Sequence, residues 1–452
     1  MITEPRGSAK VVRTISQNEH RQRRQQLATE IGNDGVLLLP AAHEQLRNQD
    51  VHYPFRQNSD FLWFTGFPEP DAVALLIPGR SRGEYVIFCR PRDAERELWD
   101  GRRYGTEGAR RHFRASQAYP LDELETKLPE LLLGRQRLFV PFGRDDAFDL
   151  RVMRWLRSAR SQARTAGRCV PTELIDASEL LHPRRQIKTP AEQQLMRQAA
   201  QISAQAHRVL MQQVQPGLNE QMLASAFGAA CGEQGAPEQA YPPIVAGGAN
   251  ACILHYTENN ARLKDGDLVL IDAGCELEGY ASDITRTLPV NGRFSPPQRQ
   301  LYELVLAAQQ AALAKARPGQ TWETLHRAAV QVLTRGLIDL GILPQDTRSL
   351  VKRIKAEDYK PYYMHRTGHW LGLDVHDVGN YRHNKRWLPF EPGMTLTIEP
   401  GLYIAPDAAV DACYRGIGIR IEDDVLITAD GHEVLSQAAP KTVAEIEEII
   451  SA

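Results

Sequence analysis

The 452-residue sequence has few cysteines and no cysteine motif. Its six cysteines are Cys89, Cys169, Cys231, Cys252, Cys275 and Cys413, and no two of them form a CxxC pair. A zinc knuckle and a dense disulfide framework both need closely spaced cysteines. The spacing therefore excludes both, and we expect the six thiols to be reduced.

Long apolar runs and a strong net charge are also missing. No stretch approaches the ~18 uninterrupted apolar residues of a membrane span, and the arginine-rich first 30 residues have no apolar signal-peptide core. The net charge is only −2, which gives no reason to predict a nucleic-acid partner. We therefore expect a cytoplasmic protein without membrane or nucleic-acid partners.

The length indicates two domains, because single cores usually stop growing at ~250 to 300 residues. A junction is predicted just before Ile187-Lys188-Thr189-Pro190-Ala191-Glu192. There Thr189 is the expected helix N-cap, Pro190 the first helical residue and Glu192 the reciprocal partner of a capping box. We therefore predict domains at 1–185 and 186–452.

The two predicted domains differ in their patterns of apolar residues. In the first, apolar runs at 35–39, 73–77 and 85–88 alternate with helical stretches, which is typical of a smaller α/β domain with a buried sheet. In the second, helices are predicted at about 190–214, 219–234, 296–316 and 321–341, and hairpin-like segments at 264–290 and 393–428. This mixture predicts an α+β domain.

Acidic residues stand at the ends of apolar segments in the second domain. Asp272 closes the apolar run 268–271, and Asp283 opens a returning strand, with Gly279 in the intervening turn. Two acids eleven residues apart can converge across such a hairpin. A buried pair of like charges is costly unless cations neutralise it, so the pair favours metal binding over a turn or cap role.

Two glutamates repeat this arrangement. Glu399 and Glu422 each lie amid strand-like alternation in 395–401 and 418–424. By the two-residue period of strands, Arg420 shares a face with Glu422 and Thr285 shares one with Asp283. We therefore expect Arg420 and Thr285 to orient ligand oxygen atoms.

Three histidines, His365, His369 and His376, lie within twelve residues beside glycine and aspartate. Their spacing does not match the HExxH zinc helix, and no thiolates accompany them. Oxygen-rich ligation suits manganese or cobalt better than a cysteine-bound zinc. Together with the four acids, the histidines predict a site for divalent metals and hence a metallohydrolase.

Four long segments carry a resemblance to a known family: 268–286 (LVLIDAGCELEGYASDITR), 369–377 (HWLGLDVHD), 397–406 (TIEPGLYIAP) and 414–424 (YRGIGIRIEDD). The chain resembles the pita-bread metallopeptidases, a family that includes prolidase and methionine aminopeptidase. In its N-terminal half, segments 53–61 and 97–103 look more like aminopeptidase P than prolidase. The resemblance implies a C-terminal pita-bread metallopeptidase domain preceded by a smaller α/β domain of the creatinase and prolidase type.

The resemblance implies roles for individual residues. It implies that Asp283 and Glu422 bridge two divalent ions, that Asp272 chelates one of them, and that His369 and Glu399 complete the other. Manganese is the favoured ion, and cobalt or zinc are alternatives. Candidate substrate-binding or ligand-orienting residues are Arg420, Thr285, Tyr241 and Trp99.

The implied reaction is hydrolysis of the first peptide bond in peptides with proline in second position. A hydroxide bridging the metals would attack the carbonyl, with Glu399 as proton carrier and His255, His365 and His376 around the substrate. The alternatives are an Xaa-Pro dipeptidase and a non-catalytic binding protein of the same fold.

The resemblance also implies a homodimer or homotetramer. Trp99 would then be a subunit contact, although a buried core position is an equal alternative. Arg366 stands where small residues are common in this family, so an inward-pointing guanidinium would alter substrate preference. A surface position is the other interpretation.

Overall fold

The structure, a computed structural model, describes residues 14–452. These residues form two compact units, of which the first contains Ile15–Arg185 and the second contains Gln186–Ala452. Each unit has its own sheet system and its own helices.

The first unit is built on a six-stranded mixed sheet. Its elements are α1 Gln17–Ile31, β1 Gly35–Pro40, β2 Leu46–Asn48, β3 Val51–His52, α2 Ser59–Thr65, β4 Val73–Leu76, β5 Tyr85–Cys89, α3 Ala94–Asp100, α4 Gly105–Phe113, β6 Gln117–Pro120, α5 Leu124–Leu131, β7 Arg137–Val140, α6 Asp146–Ala166, β8 Glu173–Asp176 and α7 Ser178–Gln186. The strand order is β6-β5-β4-β1-β7-β8, with β1 antiparallel to β4 and parallel to β7.

The central strands of this sheet are buried along nearly their whole length. All residues of β4 and β5 are buried, and their apolar side chains pack with Leu128 of α5 and Trp155 of α6. Strands covered by helices need apolar side chains throughout, and the apolar runs at 35–39, 73–77 and 85–88 provide them. The prediction of a smaller α/β domain is therefore confirmed.

The second unit combines helices with several short antiparallel sheets. Its elements are α8 Pro190–Gln213, α9 Glu220–Gly232, β9 Glu238–Gln239, β10 Ile244–Gly247, β11 Leu268–Asp272, β12 Cys275–Leu277, β13 Tyr280–Ala281, β14 Thr285–Pro289, α10 Pro296–Leu313, α11 Trp322–Asp339, α12 Leu350–Lys355, β15 Arg382–His383, β16 Arg386–Trp387, β17 Thr395–Ile398, β18 Gly401–Ile404, β19 Ile417–Arg420, β20 Asp423–Ile427, β21 His432–Val434 and α13 Val443–Ser451. Helices α8 to α11 lie at the four predicted positions, so the α+β prediction is confirmed.

Helix α8 begins as its sequence predicts. The side chain of Thr189 accepts a hydrogen bond from the Glu192 amide, and the Glu192 carboxylate accepts one from the Thr189 amide at 2.8 Å. This capping box satisfies two amides that have no partner within the helix. Pro190 lacks an N–H and therefore loses no hydrogen bond at the first helical position.

The two aspartates are brought together by strands β11 and β14. These strands pair antiparallel, with Asp272 opposite Thr285. Between them β12 and β13 form a smaller hairpin that turns at Glu278 and Gly279, whose φ angles are 53° and 87°. Glycine adopts such a left-handed conformation readily, and the turn lets the chain return so that Asp283 lies near Asp272.

The two glutamates lie at strand ends and not inside strands, because Glu399 directly follows β17 and Glu422 directly precedes β20. Glu399 and Pro400 separate β17 from β18, and Ile421 and Glu422 separate β19 from β20. Strand β17 pairs with β20, whereas β18 pairs with β19. The backbone therefore passes from one sheet to another at Glu399 and again at Glu422. Proline has no amide hydrogen to donate, which favours an interruption of the ladder there.

No helix within residues 14–452 combines the length and the apolar character needed to cross a lipid bilayer.

Candidate metal centre and substrate cavity

All five predicted metal ligands line one cavity of about 520 Å³ in the second unit. These residues are Asp272, Asp283, His369, Glu399 and Glu422. One ligand atom from each of Asp283, His369 and Glu422 lies within 4.8 Å of the other two. The four acidic side chains and one imidazole thus converge at a single place, as the sequence predicts.

Asp272, Asp283 and Glu422 are buried and Glu399 is partly buried, and neighbouring carboxylates raise the pKa values of Asp283, Glu399 and Glu422. Burial, followed by the charge of Asp272, raises the pKa of Asp283 well above its ordinary value. Burial and the charges of Asp283 and Asp272 do the same for Glu422. Burial and the charge of Glu422 raise the pKa of Glu399 to about 8. Burial and mutual repulsion therefore favour the protonated forms of these three acids when no cation is bound.

His369 presents a ring nitrogen to the same cluster. Its Nδ1 lies 2.9 Å from the Trp370 carbonyl oxygen, which can only accept, so the neutral ring carries its proton on Nδ1. The lone pair of Nε2 then faces Asp283 Oδ2 at 3.3 Å. Two acceptors this close repel each other unless a proton or a metal cation lies between them, and divalent metals commonly bind between such a nitrogen and a carboxylate.

The donor set fits hard divalent cations. Carboxylate oxygens and one imidazole nitrogen are ligands that manganese, cobalt and zinc accept, and no cysteine lines the cavity among the residues described. Burial and mutual repulsion raise the pKa values of Asp283 and Glu422, so their ionised forms need additional positive charge nearby. Metal ions would supply it.

Arg420 is the cation that the chain does place against the carboxylates. Its Nη2 donates to Asp272 Oδ2 at 2.6 Å, its Nε donates to Thr285 Oγ1 at 3.1 Å, and Thr285 donates to Glu422 Oε2 at 2.7 Å. Arg420 and Thr285 therefore both contact ligand oxygens, as expected, although Asp283 and Glu422 lie just outside β14 and β19.

Tyr241 holds the two aspartates from another side. Its hydroxyl lies 2.6 Å from Asp272 Oδ1 and 2.5 Å from Asp283 Oδ1. Burial, followed by the charges of these aspartates, raises the pKa of Tyr241 well above its ordinary value. The hydroxyl therefore keeps its proton and can donate to one carboxylate at a time.

The three other predicted histidines, His255, His365 and His376, also line the cavity. The ring of His376 lies 4.2 Å from that of His369 in an edge-to-face arrangement. Burial, then the charges of His369 and His255, lower the pKa of His376. His255 is exposed to the cavity on the loop that follows β10.

His365 is held as a neutral ring by a chain of hydrogen bonds. Its Nδ1 donates to the Arg366 carbonyl at 2.7 Å, so Nε2 accepts from the Tyr403 hydroxyl at 2.9 Å. The Tyr403 oxygen accepts in turn from Arg420 Nη1 at 3.0 Å. Burial and the charge of Arg420 lower the pKa of His365 to about 3. His365 is therefore an uncharged group of the cavity wall at neutral pH.

Sequence reasoning missed the residue that holds the His255 loop. The carboxylate of Glu220, fully buried at the start of α9, accepts hydrogen bonds from the Gly247 amide at 2.7 Å, the Tyr256 hydroxyl at 2.9 Å and the Ala261 amide at 2.8 Å. These partners flank His255 on both sides. The only sequence signal was an acid in the first turn of a predicted helix, a position usually explained by the helix dipole.

Sequence reasoning also missed the aromatic wall of the cavity and a buried acid behind Asp283. Trp322, Tyr381 and Trp387 line the cavity together with the histidines.

Asp424 accepts a hydrogen bond from the Asp283 amide at 3.0 Å and thereby fixes the segment that leads into β14. The three acids Glu422, Asp423 and Asp424 gave a signal for a ligand but not for this supporting role.

Trp99 lies outside this cavity, in the first unit. It is 80% exposed on α3, beside Leu98, which is 81% exposed. The alternative of a buried core position is therefore wrong, because α3 buries none of its side chains.

Arg366 fits both of its predicted positions, the protein surface and the cavity wall. It is exposed, and it also lines the cavity.

Comparisons with known proteins identify the family. The model of metallopeptidase family M24 matches residues 194–429, and that of the aminopeptidase P N-terminal domain matches residues 20–139. The chain is 42% identical to Xaa-Pro aminopeptidases of Haemophilus influenzae and Escherichia coli, with 97% of this chain and 98% of each relative covered. It is 37% identical to human Xaa-Pro aminopeptidase 3, with 97% of this chain and 86% of the relative covered.

Solved structures give the same result. An aminopeptidase from Pseudomonas aeruginosa superposes with a TM-score of 0.95 at 50% identity, covering 97% of this chain and 98% of that one. Zinc-substituted E. coli aminopeptidase P in complex with product superposes with a TM-score of 0.93 at 42% identity, covering 97% and 99%. The chain is thus a metallo-exopeptidase of family M24, with a pita-bread catalytic domain. Within that family it belongs to the Xaa-Pro aminopeptidases.

We predict that the metal-free protein loses stability as the pH rises above neutrality. An acid whose pKa is raised by folding binds more protons in the folded state, so stability falls between its unfolded value of 4.5 and its folded value, about 8 for Glu399. Buried histidines such as His365 act in the opposite direction, but their contribution is complete above the unfolded histidine value of 6.5. In chelator, the Tm should therefore decrease from about pH 7 to about pH 8.5.

Divalent cations should weaken this dependence, because they replace the protons as counter-charges. The variant Glu399→Gln, in which one raised pKa is removed, should show a smaller decrease in chelator than the unmodified protein. A Tm in chelator that stays constant or rises over this range would contradict the electrostatic account of the cluster.

Proposed function

We propose that the protein hydrolyses the N-terminal Xaa-Pro bond of peptides with two divalent metal ions. The observation that supports this most directly is the cluster of four carboxylates and one imidazole lining a 520 Å³ cavity. The relatives named Xaa-Pro aminopeptidase cover the chain almost completely, which supports the same substrate class. The residues that would hold the ions are Asp272, Asp283, His369, Glu399 and Glu422.

The ions would supply one kind of chemistry that side chains supply poorly. When bound, they lower the pKa of water so that hydroxide is available near neutral pH, and they polarise the carbonyl under attack. The oxygen-rich donor set favours manganese and also accepts cobalt or zinc.

Glu399 is proposed to move the proton of the attacking water to the leaving group. Its carboxylate lies at the cavity wall, 4.0 Å from His369 and 3.6 Å from His365. Proline leaves as a secondary amine and must be protonated at nitrogen. A carboxylic acid within reach of the water oxygen and of the proline nitrogen can transfer this proton.

The histidines of the cavity are proposed to stabilise the charge that develops on the substrate. His255 and His376 carry ring N–H groups that can donate to the oxygen of a tetrahedral intermediate. Neutral His365 is held by Tyr403 and is proposed to shape the site around the substrate. The free amino group of the peptide is proposed to lie near Asp272.

The aromatic part of the cavity suits a proline ring. Trp322, Tyr381 and Trp387 provide flat apolar surface beside the carboxylate cluster. An Xaa-Pro dipeptidase would use the same chemistry on a shorter substrate, and it is the alternative that substrate length distinguishes. Arg366 and Arg382 also line the cavity, where their guanidinium groups can meet backbone or acidic groups of a longer peptide.

A homo-oligomer in the cytoplasm is proposed as the working form. Leu98 and Trp99 expose two large apolar side chains at adjacent positions of α3, which makes this helix the proposed contact between copies of the chain.

The first prediction here concerns the proton carrier. The variant Glu399→Gln should lower kcat for an Xaa-Pro-Xaa tripeptide by at least about a hundredfold, because the amide cannot carry a proton. The control is Glu391→Gln, which changes an exposed glutamate outside the cavity and should leave kcat unchanged. Metal content measured beside kcat separates lost proton transfer from lost metal. Near-normal turnover of Glu399→Gln with metals bound would refute the assigned role.

The second prediction concerns metal and substrate length. Chelation should abolish turnover, and manganese or cobalt should restore it, because the carboxylates alone cannot activate water at neutral pH. Xaa-Pro-Xaa tripeptides should be cleaved with a higher kcat/KM than Xaa-Pro dipeptides. Faster cleavage of the dipeptide would assign the protein to the dipeptidases, and full activity in chelator would exclude metal catalysis.

The third prediction concerns assembly. Light scattering should give a mass of two or four chains, and Trp99→Ser should shift the distribution toward the monomer because it removes an apolar contact. Met222→Ser, a change at another exposed apolar residue, is the control. A monomeric unmodified protein at assay concentration would exclude the oligomer.

A further inference from the structure

The first unit contains a cavity lined by basic residues, and none of the residues proposed for the peptidase reaction lines it. It has a volume of about 390 Å³ and is lined by residues of the first unit only. Arg21 and Arg24, one turn apart on α1, and Arg114, at the end of α4, supply three guanidinium groups to it. We call it the arginine cleft.

Arg24 is the central cation of the arginine cleft. It is only 4% exposed, its Nη1 donates to the Phe64 carbonyl at 2.9 Å, and its guanidinium lies 4.1 Å from the centre of the Tyr85 ring. These contacts fix the side chain but supply no negative charge. A buried cation is normally compensated by a carboxylate or another anion.

Within residues 14–452, no carboxylate forms an ion pair with Arg21, Arg24 or Arg114. Glu84, an acid that also lines the cleft, instead accepts a hydrogen bond from the Gly79 amide at 2.7 Å. Burial lowers the pKa of Arg24, and the charges of Arg114, Arg21 and Arg23 lower it further. The described part of the chain therefore gathers like charges around Arg24 without neutralising them.

Arg114 occupies a backbone conformation that arginine seldom adopts. Its φ of 57° and ψ of 30° place it in the left-handed region, at the C-cap of α4. Glycine fits this position with less strain. A strained residue that carries a charge into a cavity is a recurrent feature of ligand sites.

We propose that the arginine cleft binds a phosphate group, either as inorganic phosphate or as part of a small phosphorylated molecule. The planar fork of a guanidinium matches the oxygens of phosphate, and three such forks around one cavity can surround a tetrahedral anion. The anion supplies the counter-charge that Arg24 lacks. This site is independent of the proposed peptidase function, because none of its residues belongs to the second unit.

The test is calorimetric titration of the complete, metal-containing protein with inorganic phosphate at constant ionic strength. We expect saturable binding, and we expect the double variant Arg21→Ala with Arg114→Gly to raise the Kd at least tenfold. Both side chains are exposed, and glycine relieves the left-handed conformation at 114, so the variant should fold. Peptidase activity and Tm, measured in parallel, verify that folding.

The matched control is Arg157→Ala, which removes an exposed arginine on α6 outside the arginine cleft. Its Kd for phosphate should equal that of the unmodified protein. The proposal is overturned if phosphate does not saturate, or if the double variant binds phosphate as tightly as the control. It is also overturned if acetate binds as tightly as phosphate, because the cleft would then be a carboxylate site.

Discussion

Repulsion among four carboxylates in one cavity is the constraint on which the catalytic domain depends. Asp272, Asp283, Glu399 and Glu422 are close enough that each disfavours ionisation of another, and burial strengthens the effect. The chain reduces this repulsion with one arginine and with hydroxyl donors, but it does not remove it. The remaining negative charge is what makes the cavity a site for cations.

The backbone that carries these acids is interrupted where they stand. Glu399 and Glu422 lie at the two places where a pair of antiparallel strands changes sheets. Residues inside a regular ladder must point to one face or the other, whereas residues at a break are free to turn toward a common centre. The interruptions therefore give the two glutamates an approach that continuous strands would not allow.

Local sequence signals predicted the parts of the structure that local forces decide. The capping box at Thr189 and Glu192, the apolar strands of the first unit and the convergence of Asp272 with Asp283 all follow from spacing. Family resemblance added the roles of individual ligands, which spacing alone left open.

Other features depend on contacts between distant segments and could not be predicted. The change of sheets at Glu399 can be predicted only when the strand pairing is known. The strand-like alternation in 395–401 indicated a continuous strand instead. The exposure of Trp99 depends on what covers α3, which no local pattern shows. The contacts of Glu220 with residues 247–261 join segments that are separate in the sequence.

The Glu220 carboxylate also connects helix α9 to the loop that carries His255. Because its partners lie on both sides of His255, the native shape of the loop depends on hydrogen bonds to a residue of α9. Substitution of Glu220 in α9 would thus disturb a loop whose His255 lines the cavity elsewhere in the chain. A naturally occurring variant of this helix could reduce activity at a distance while leaving every group in the cavity chemically intact.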